Sequence, residues 1–156
     1  MAITGIVGTI ALLQDAALTV PGIRYAPSGE YPPSLDTSLL PAVLTFPEFD
    51  TTRPVTMGLN LRTFDRTFQV VCFVDASGQS TSNARVILAY QLLDAMKEVI
   101  RPNRQLNALT RIFETRDTGI VAGANVRTSS AEYLSYNGQQ YTGFVISVRV
   151  MEFASA

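Results

Sequence analysis

Between Pro21 and Pro41 the chain carries five of its eight prolines, with Gly22, Gly29 and several serines and threonines, and neither helical nor strand periodicity runs through it. Proline fixes φ, lacks an amide donor and disfavours helix in the residue before it, so no helix and no internal strand can cross this stretch. The fold must therefore place regular elements on either side of a long, stiffened loop. A loop of this length in a compact domain tends to be functional or to order against a partner. Tyr25, Tyr31 and Leu35 give it apolar side chains, which can pack back onto their own domain or bury against another chain.

Ahead of the loop, Ile3, Ile6, Val7, Ile10, Leu13 and Ala17 recur at steps of three and four, which predicts an amphipathic helix over residues 2–18, ended by Pro21 and Gly22. Gln14 and Asp15 interrupt its apolar character, and no Lys or Arg precedes Arg24. The segment therefore reads as neither a signal peptide nor a membrane span.

Behind the loop the period changes to two. Ala42 to Phe46 is a short β-type run. Val55, Met57, Leu59 and Leu61 then alternate with Thr56, Gly58, Asn60 and Arg62, as expected of a strand with one face in the core. A third run, Phe64 to Val74, becomes apolar on both faces toward its end, which predicts a central strand. Asp75 to Ser82 is a polar turn in which Ser80, Thr81 or Ser82 can cap a second helix over about residues 82–100, stopped by Pro102. Leu106, Ala108, Thr110 and Ile112 alternate weakly. Asn137-Gly138 then joins Tyr133–Tyr136 to Tyr141–Phe153 in the clearest hairpin of the sequence, because this pair tolerates the positive φ of a tight turn. The expected architecture is α+β: a mostly antiparallel β-sheet packed against two α-helices, with the long proline-rich loop after the first, in a single domain over residues 1–156.

The chain contains no histidine, which excludes Ser-His-acid, Cys-His and HExxH arrangements and most zinc and non-haem iron sites. The single cysteine, Cys72, lies mid-strand and is expected to be a core residue rather than a nucleophile. Carboxylate pairs that could serve a glycosidase are Glu48 with Asp50, Asp94 with Glu98, and Glu114 with Asp117. The second, beside Lys97, reads as solvated helix surface, and the others sit at strand ends or turns where acids serve the backbone. Gly119-Ile-Val-Ala-Gly123 lacks the Lys and Ser/Thr of a phosphate loop. These readings assign no catalytic residue, no cofactor and no metal.

The net charge of −1 gives no electrostatic drive toward nucleic acid or an anionic membrane. Charged residues are only 16% of the chain, which would leave an isolated monomer with an unusually apolar surface that oligomerisation would cover. Eleven of the twelve basic residues are Arg, a bias that suits desolvated interface contacts and equally suits a codon preference. Arg101, Arg104 and Arg111 cluster after the second helix, where they can meet phosphates or a partner's acids, or simply lie in solvent.

In its order of elements the chain resembles the tail terminator and tail-completion (neck) proteins of long-tailed bacteriophages. The pieces that carry the resemblance are Val20-Pro-Gly-Ile-Arg-Tyr-Ala-Pro27, Tyr31-Pro-Pro33, Leu40-Pro-Ala-Val-Leu-Thr-Phe-Pro47, Thr67-Phe-Gln-Val-Val-Cys-Phe-Val74 and Tyr133-Leu-Ser-Tyr-Asn-Gly-Gln-Gln-Tyr-Thr-Gly143. The connection between the second and third strands, placed at Leu61 to Phe64, is too short for the insertions some members carry. The resemblance implies a virion protein assembled in the host cytoplasm, forming a ring, usually a hexamer, on the last ring of the tail tube. Its partners would be the tail tube protein and a head-completion or connector protein. The genome would pass through the lumen without specific binding, and no membrane would be involved. Expected contact residues are Tyr25, Pro27, Tyr31 and Pro32 in the proline-rich loop, with Phe46 and Phe49 at its rim. Other readings are another neck or head-closure adaptor, a small soluble binding module, or an enzyme using only acids and Arg.

Overall fold

The computed structural model describes residues 5–48, 53–56, 61–76, 83–121, 123–124, 131–132 and 134–155. In chain order the elements are α1 (Gly5–Leu18), a 3-10 turn (Thr37–Leu39), β1 (Ala42–Pro47), β2 (Arg53–Thr56), β3 (Leu61–Ala76), α2 (Asn83–Val99), β4 (Thr110–Val121), β5 (Gly123–Ala124), β6 (Ala131–Glu132), β7 (Leu134–Tyr136) and β8 (Gln139–Ser155). This is the α+β architecture expected: two helices on an antiparallel sheet.

β3 and β8 form the spine of the sheet, paired antiparallel from Leu61↔Ser155 to Ala76↔Tyr141. β1 and β2 line the free side of β3, β4 lines the free side of β8, and β5 and β6 form a separate two-stranded ribbon. β7 folds back on β8 through Asn137 and Gly138, whose φ angles of 47° and 83° are those the tight hairpin turn requires. Gly143 is needed for a different reason. A Cβ placed there would sit 1.8 Å from the Cys72 carbonyl oxygen, so only glycine lets β8 approach β3 at that row.

The strands differ from expectation in two places. The alternating run from Val55 to Leu61 does not stay in one strand: Val55 belongs to β2 and Leu61 to β3, which pair antiparallel with Thr56 opposite Arg62, and 57–60 lie outside the described residues. The connection therefore lies before Leu61, and Leu61 to Phe64 belong to β3. Their ladder partners are Ser155 to Glu152, so the chain's last strand extends β3 further down than local periodicity suggested. The weak alternation of Leu106 to Ile112 yields regular strand only from Thr110. Before it the Asn107 carboxamide oxygen accepts the Leu109 amide at 2.8 Å, and the Leu106 amide donates to the Thr110 carbonyl at 2.8 Å, a turn held by side-chain competition for the backbone. Residues 2–4 of the expected first helix, the expected cap candidates Ser80, Thr81 and Ser82, and Tyr133 of the expected hairpin lie outside the described residues.

Alternation along the strands sends side chains to two different apolar clusters. On the helix-covered face, Val43, Phe68, Val70, Cys72, Val74, Ile112, Phe144, Ile146, Val148 and Val150 pack against Leu13, Ala17, Leu92, Met96 and Ile100. Each such side chain fully withdrawn from water contributes about 1.5–3 kcal/mol, and this layer is the main core. On the opposite face, Leu44, Val71, Phe73 and Tyr141 are buried beneath Leu35 and Leu40 of the proline-rich loop, with Tyr25, Tyr31, Phe46, Leu134 and Tyr136 closing the edges. The loop thus serves as the cover of half a sheet face.

Candidate interaction site

The position of the loop is set from α1. Gln14 lies in the helical register of Ile10 and Ala17 and is fully buried. Its Nε2 donates to the Val43 carbonyl at 2.6 Å and to the Pro27 carbonyl at 3.0 Å, and its Oε1 accepts the Thr45 hydroxyl at 2.7 Å. One side chain thereby joins helix, loop and strand. A buried amide is costly unless bonded, and these contacts satisfy both of its ends.

Tyr31 supplies the second tie. Its hydroxyl donates to the Thr45 carbonyl at 2.7 Å and accepts the Thr45 amide at 3.0 Å, while its ring meets Phe46 edge-on at 5.7 Å. Burial raises its pKa against the opposing pull of the Thr45 hydrogen bond. A third tie comes from the closing hairpin: the Tyr136 hydroxyl donates to the Pro32 carbonyl, and Asn137 Nδ2 donates to the Pro33 carbonyl at 2.6 Å. The Tyr141 hydroxyl donates to the Leu35 carbonyl at 3.3 Å. Proline leaves carbonyls without a paired amide of its own, and side chains from two distant segments, α1 and the closing hairpin, take them up.

The expected contact residues sit on the inner side of this assembly. Tyr25 and Phe46 are half-buried in the second cluster, Pro27 and Pro32 give their carbonyls to Gln14 and Tyr136, and Tyr31 is bonded to β1. Phe49 lies outside the described residues. From Ser28 to Ser38 the loop presents Ser28, Gly29, Glu30, Pro33, Ser34, Asp36, Thr37 and Ser38 to solvent, a polar stretch whose charges are acidic, while nearer the start of the loop Arg24 is exposed as well. Gln14 was readable only as an interruption of an apolar helix. The signal available was its register, since a glutamine at a core position of a helix must bond to something buried.

A second buried tie anchors the other end of α1. Arg66 Nη1 meets Glu152 Oε1 at 2.5 Å with side-chain exposures of 9% and 1%, and the same carboxylate accepts the Gly5 amide at 3.2 Å. A carboxylate at a helix N-terminus satisfies free amides and complements the helix dipole. Both residues occupy the strand parity that otherwise carries Phe68, Val70, Ile146 and Val148, and that parity was the overlooked signal.

The chemically suggestive residues are dispersed. Cys72 is buried and its thiol pKa is pushed up by burial, the opposite of an activated nucleophile. Asp94 and Glu98 are exposed. Burial pushes the Asp117 carboxyl up, but Lys97 at 3.2 Å and the Gly119 amide more than offset it and hold the group below its ordinary value. The arginines after α2 go separate ways: Arg101 is exposed, Arg104 Nη1 donates to the Val99 carbonyl at 2.9 Å at the end of α2, and Arg111 lies over the Phe153 ring on the opposite side of the sheet. No group of three or more potential metal ligands occurs among the described residues, and no described helix is long and apolar enough to cross a membrane.

Beyond the loop, the lower half of the uncovered sheet face is polar. Arg149 is gripped in a fork by Asp65, lies 5.1 Å over the Phe113 ring and is 3.8 Å from Glu114, beside a shallow cup lined by Glu48, Thr67, Arg116 and Ser147. The Asp65 contact raises the Arg149 pKa. Compared by sequence, the chain matches no family model and no curated protein.

Proposed function

We propose that this protein is a non-catalytic structural protein of a phage tail, a terminator that forms a ring on the end of the tail tube, stops its polymerisation and offers its other side to the head connector. The observation that carries the reading is the braced proline-rich loop. Binding costs less when the contacting segment is already ordered, and Gln14, Tyr31 and Tyr136 fix this loop before any partner arrives. The order of elements around it supports the same role. In this reading Tyr25, Pro27, Tyr31 and Pro32 shape the contact surface, while Ser28 to Glu30 and Pro33 to Ser38 meet the tube.

Electron microscopy of the purified protein mixed with its own tube protein tests this. The expected result is tubes of limited length, each closed at one end by a ring. Tubes that grow without limit contradict the terminator role, and single subunits on arrested tubes contradict the ring.

A further inference from the structure

The two edges of the sheet are finished differently. On β1 the Val43 amide donates to the Tyr25 carbonyl at 2.9 Å, the Val43 carbonyl accepts Gln14 Nε2 at 2.6 Å, and both backbone groups of Thr45 are taken by the Tyr31 hydroxyl. On the opposite edge the start of β4 is closed in the same way. The Ile112 amide donates to the Arg104 carbonyl at 2.8 Å, and its carbonyl accepts the Asn103 amide at 2.8 Å. From Glu114 to Asp117, between two irregularities, β4 pairs regularly with Arg149 to Ile146 of β8. Its other side has no backbone partner among the described residues. An unfinished strand edge is a template for another strand.

The four residues of this edge carry their own complement. In an antiparallel pairing of two copies centred on Thr115, Glu114 of each lies directly opposite Arg116 of the other, and the two Thr115 residues face each other. Glu114 and Arg116 share the open polar face of the sheet, where both line the cup beside Arg149. Arg116 is exposed and has no ion-pair partner among the described residues. Moving the centre by one residue sets Glu114 against Glu114 or Arg116 against Arg116. Half-step shifts set the open face of one copy beside the helical face of the other. Opposite charges directly across a strand pair are favourable and like charges are not, so a single register is selected.

We infer that the Glu114–Asp117 edge of β4 pairs antiparallel with the same edge of a second copy, in a two-fold contact centred on Thr115. The contact does not depend on the tube-capping role, because a two-fold contact joins copies in pairs and cannot by itself close a ring. Four residues a side make a small interface, so the pairing is weak and best detected covalently.

The test is Thr115→Cys in the full chain under mild oxidation. The native thiol Cys72 is buried, so the new thiols are the ones available, and a two-fold axis at residue 115 brings them together. The expected result is a disulfide-linked dimer, formed well above the level given by Gln69→Cys, a control exposed in the middle of the open face that carries Glu114 and Arg116. Equal cross-linking by the two variants overturns the inference. Sedimentation with Thr115 intact gives an independent reading. Arg116→Glu should weaken self-association about tenfold by placing Glu against Glu, and Glu114→Arg combined with Arg116→Glu should restore it. Association that ignores Arg116→Glu, or that the double variant fails to recover, overturns it equally.

Discussion

The two faces of the sheet are covered by different physics. On one side α1 and α2 press apolar side chains onto Phe68, Phe144 and Val148, and apolar burial dominates the layer, with polar ties only at the two ends of α1. On the other side a loop with few amides of its own to spend on regular structure is tied down by side chains reaching its carbonyls: Gln14, Tyr136, Asn137 and Tyr141. The first face is tolerant and diffuse, the second specific and local. Losing one contact under the helices weakens the whole domain, whereas losing one tie under the loop should free the loop before it unfolds anything else.

The contrast can be broken most forcefully at the helix-covered face. Phe144→Ala removes a fully buried ring from the middle of β8, and urea unfolding should show a loss of about 3–5 kcal/mol with all probes moving together. Gln14→Leu keeps the volume but orphans the Val43 carbonyl and unpins Pro27 and Thr45. The expected cost is about 1–3 kcal/mol, with amide exchange rising in the proline-rich loop and β1 more than in α2. Equal exchange in both layers would remove the distinction between the faces.

Tyr31→Phe takes away only the hydroxyl and should cost about 1 kcal/mol, concentrated in faster exchange of the Thr45 amide. Titration should sharpen this further. The folded pKa of Tyr31 is raised above its ordinary value of 10.0, so the stability it supports is fully present below pH 10.0 and is lost as pH rises through the folded value. Alkaline loosening of the loop should therefore appear in the wild type and be reduced in Tyr31→Phe. Asp117 acts in the opposite direction. Its folded pKa lies below the ordinary 3.8, so its smaller contribution is present above that value and is lost as pH falls through the folded one.

The same division decided what could be read from the sequence. Helix periodicity located α1 and α2, alternation located β1 and the central β3, and Asn137-Gly138 located the closing hairpin, because each signal is local and repeats. The site depended on single residues whose meaning is non-local. Gln14 looked like a flaw in an apolar helix until Val43 and Thr45 lay beside it. Glu152 and Arg66 occupy core parity in strands 86 residues apart in sequence. The division of β2 from β3 also escaped, since what extends β3 to Leu61 is its ladder with the far end of the chain.

The central claim is that the outer surface of the braced loop meets the tube. The most direct measurement is the length of tubes grown from the cognate tube protein in the presence of Glu30→Arg combined with Asp36→Arg, two exposed positions whose side chains hold no part of the brace. Arrest of growth by the wild type and its loss in the double variant, at unchanged thermal stability, is the predicted result. Arrest that is the same for both proteins would contradict it.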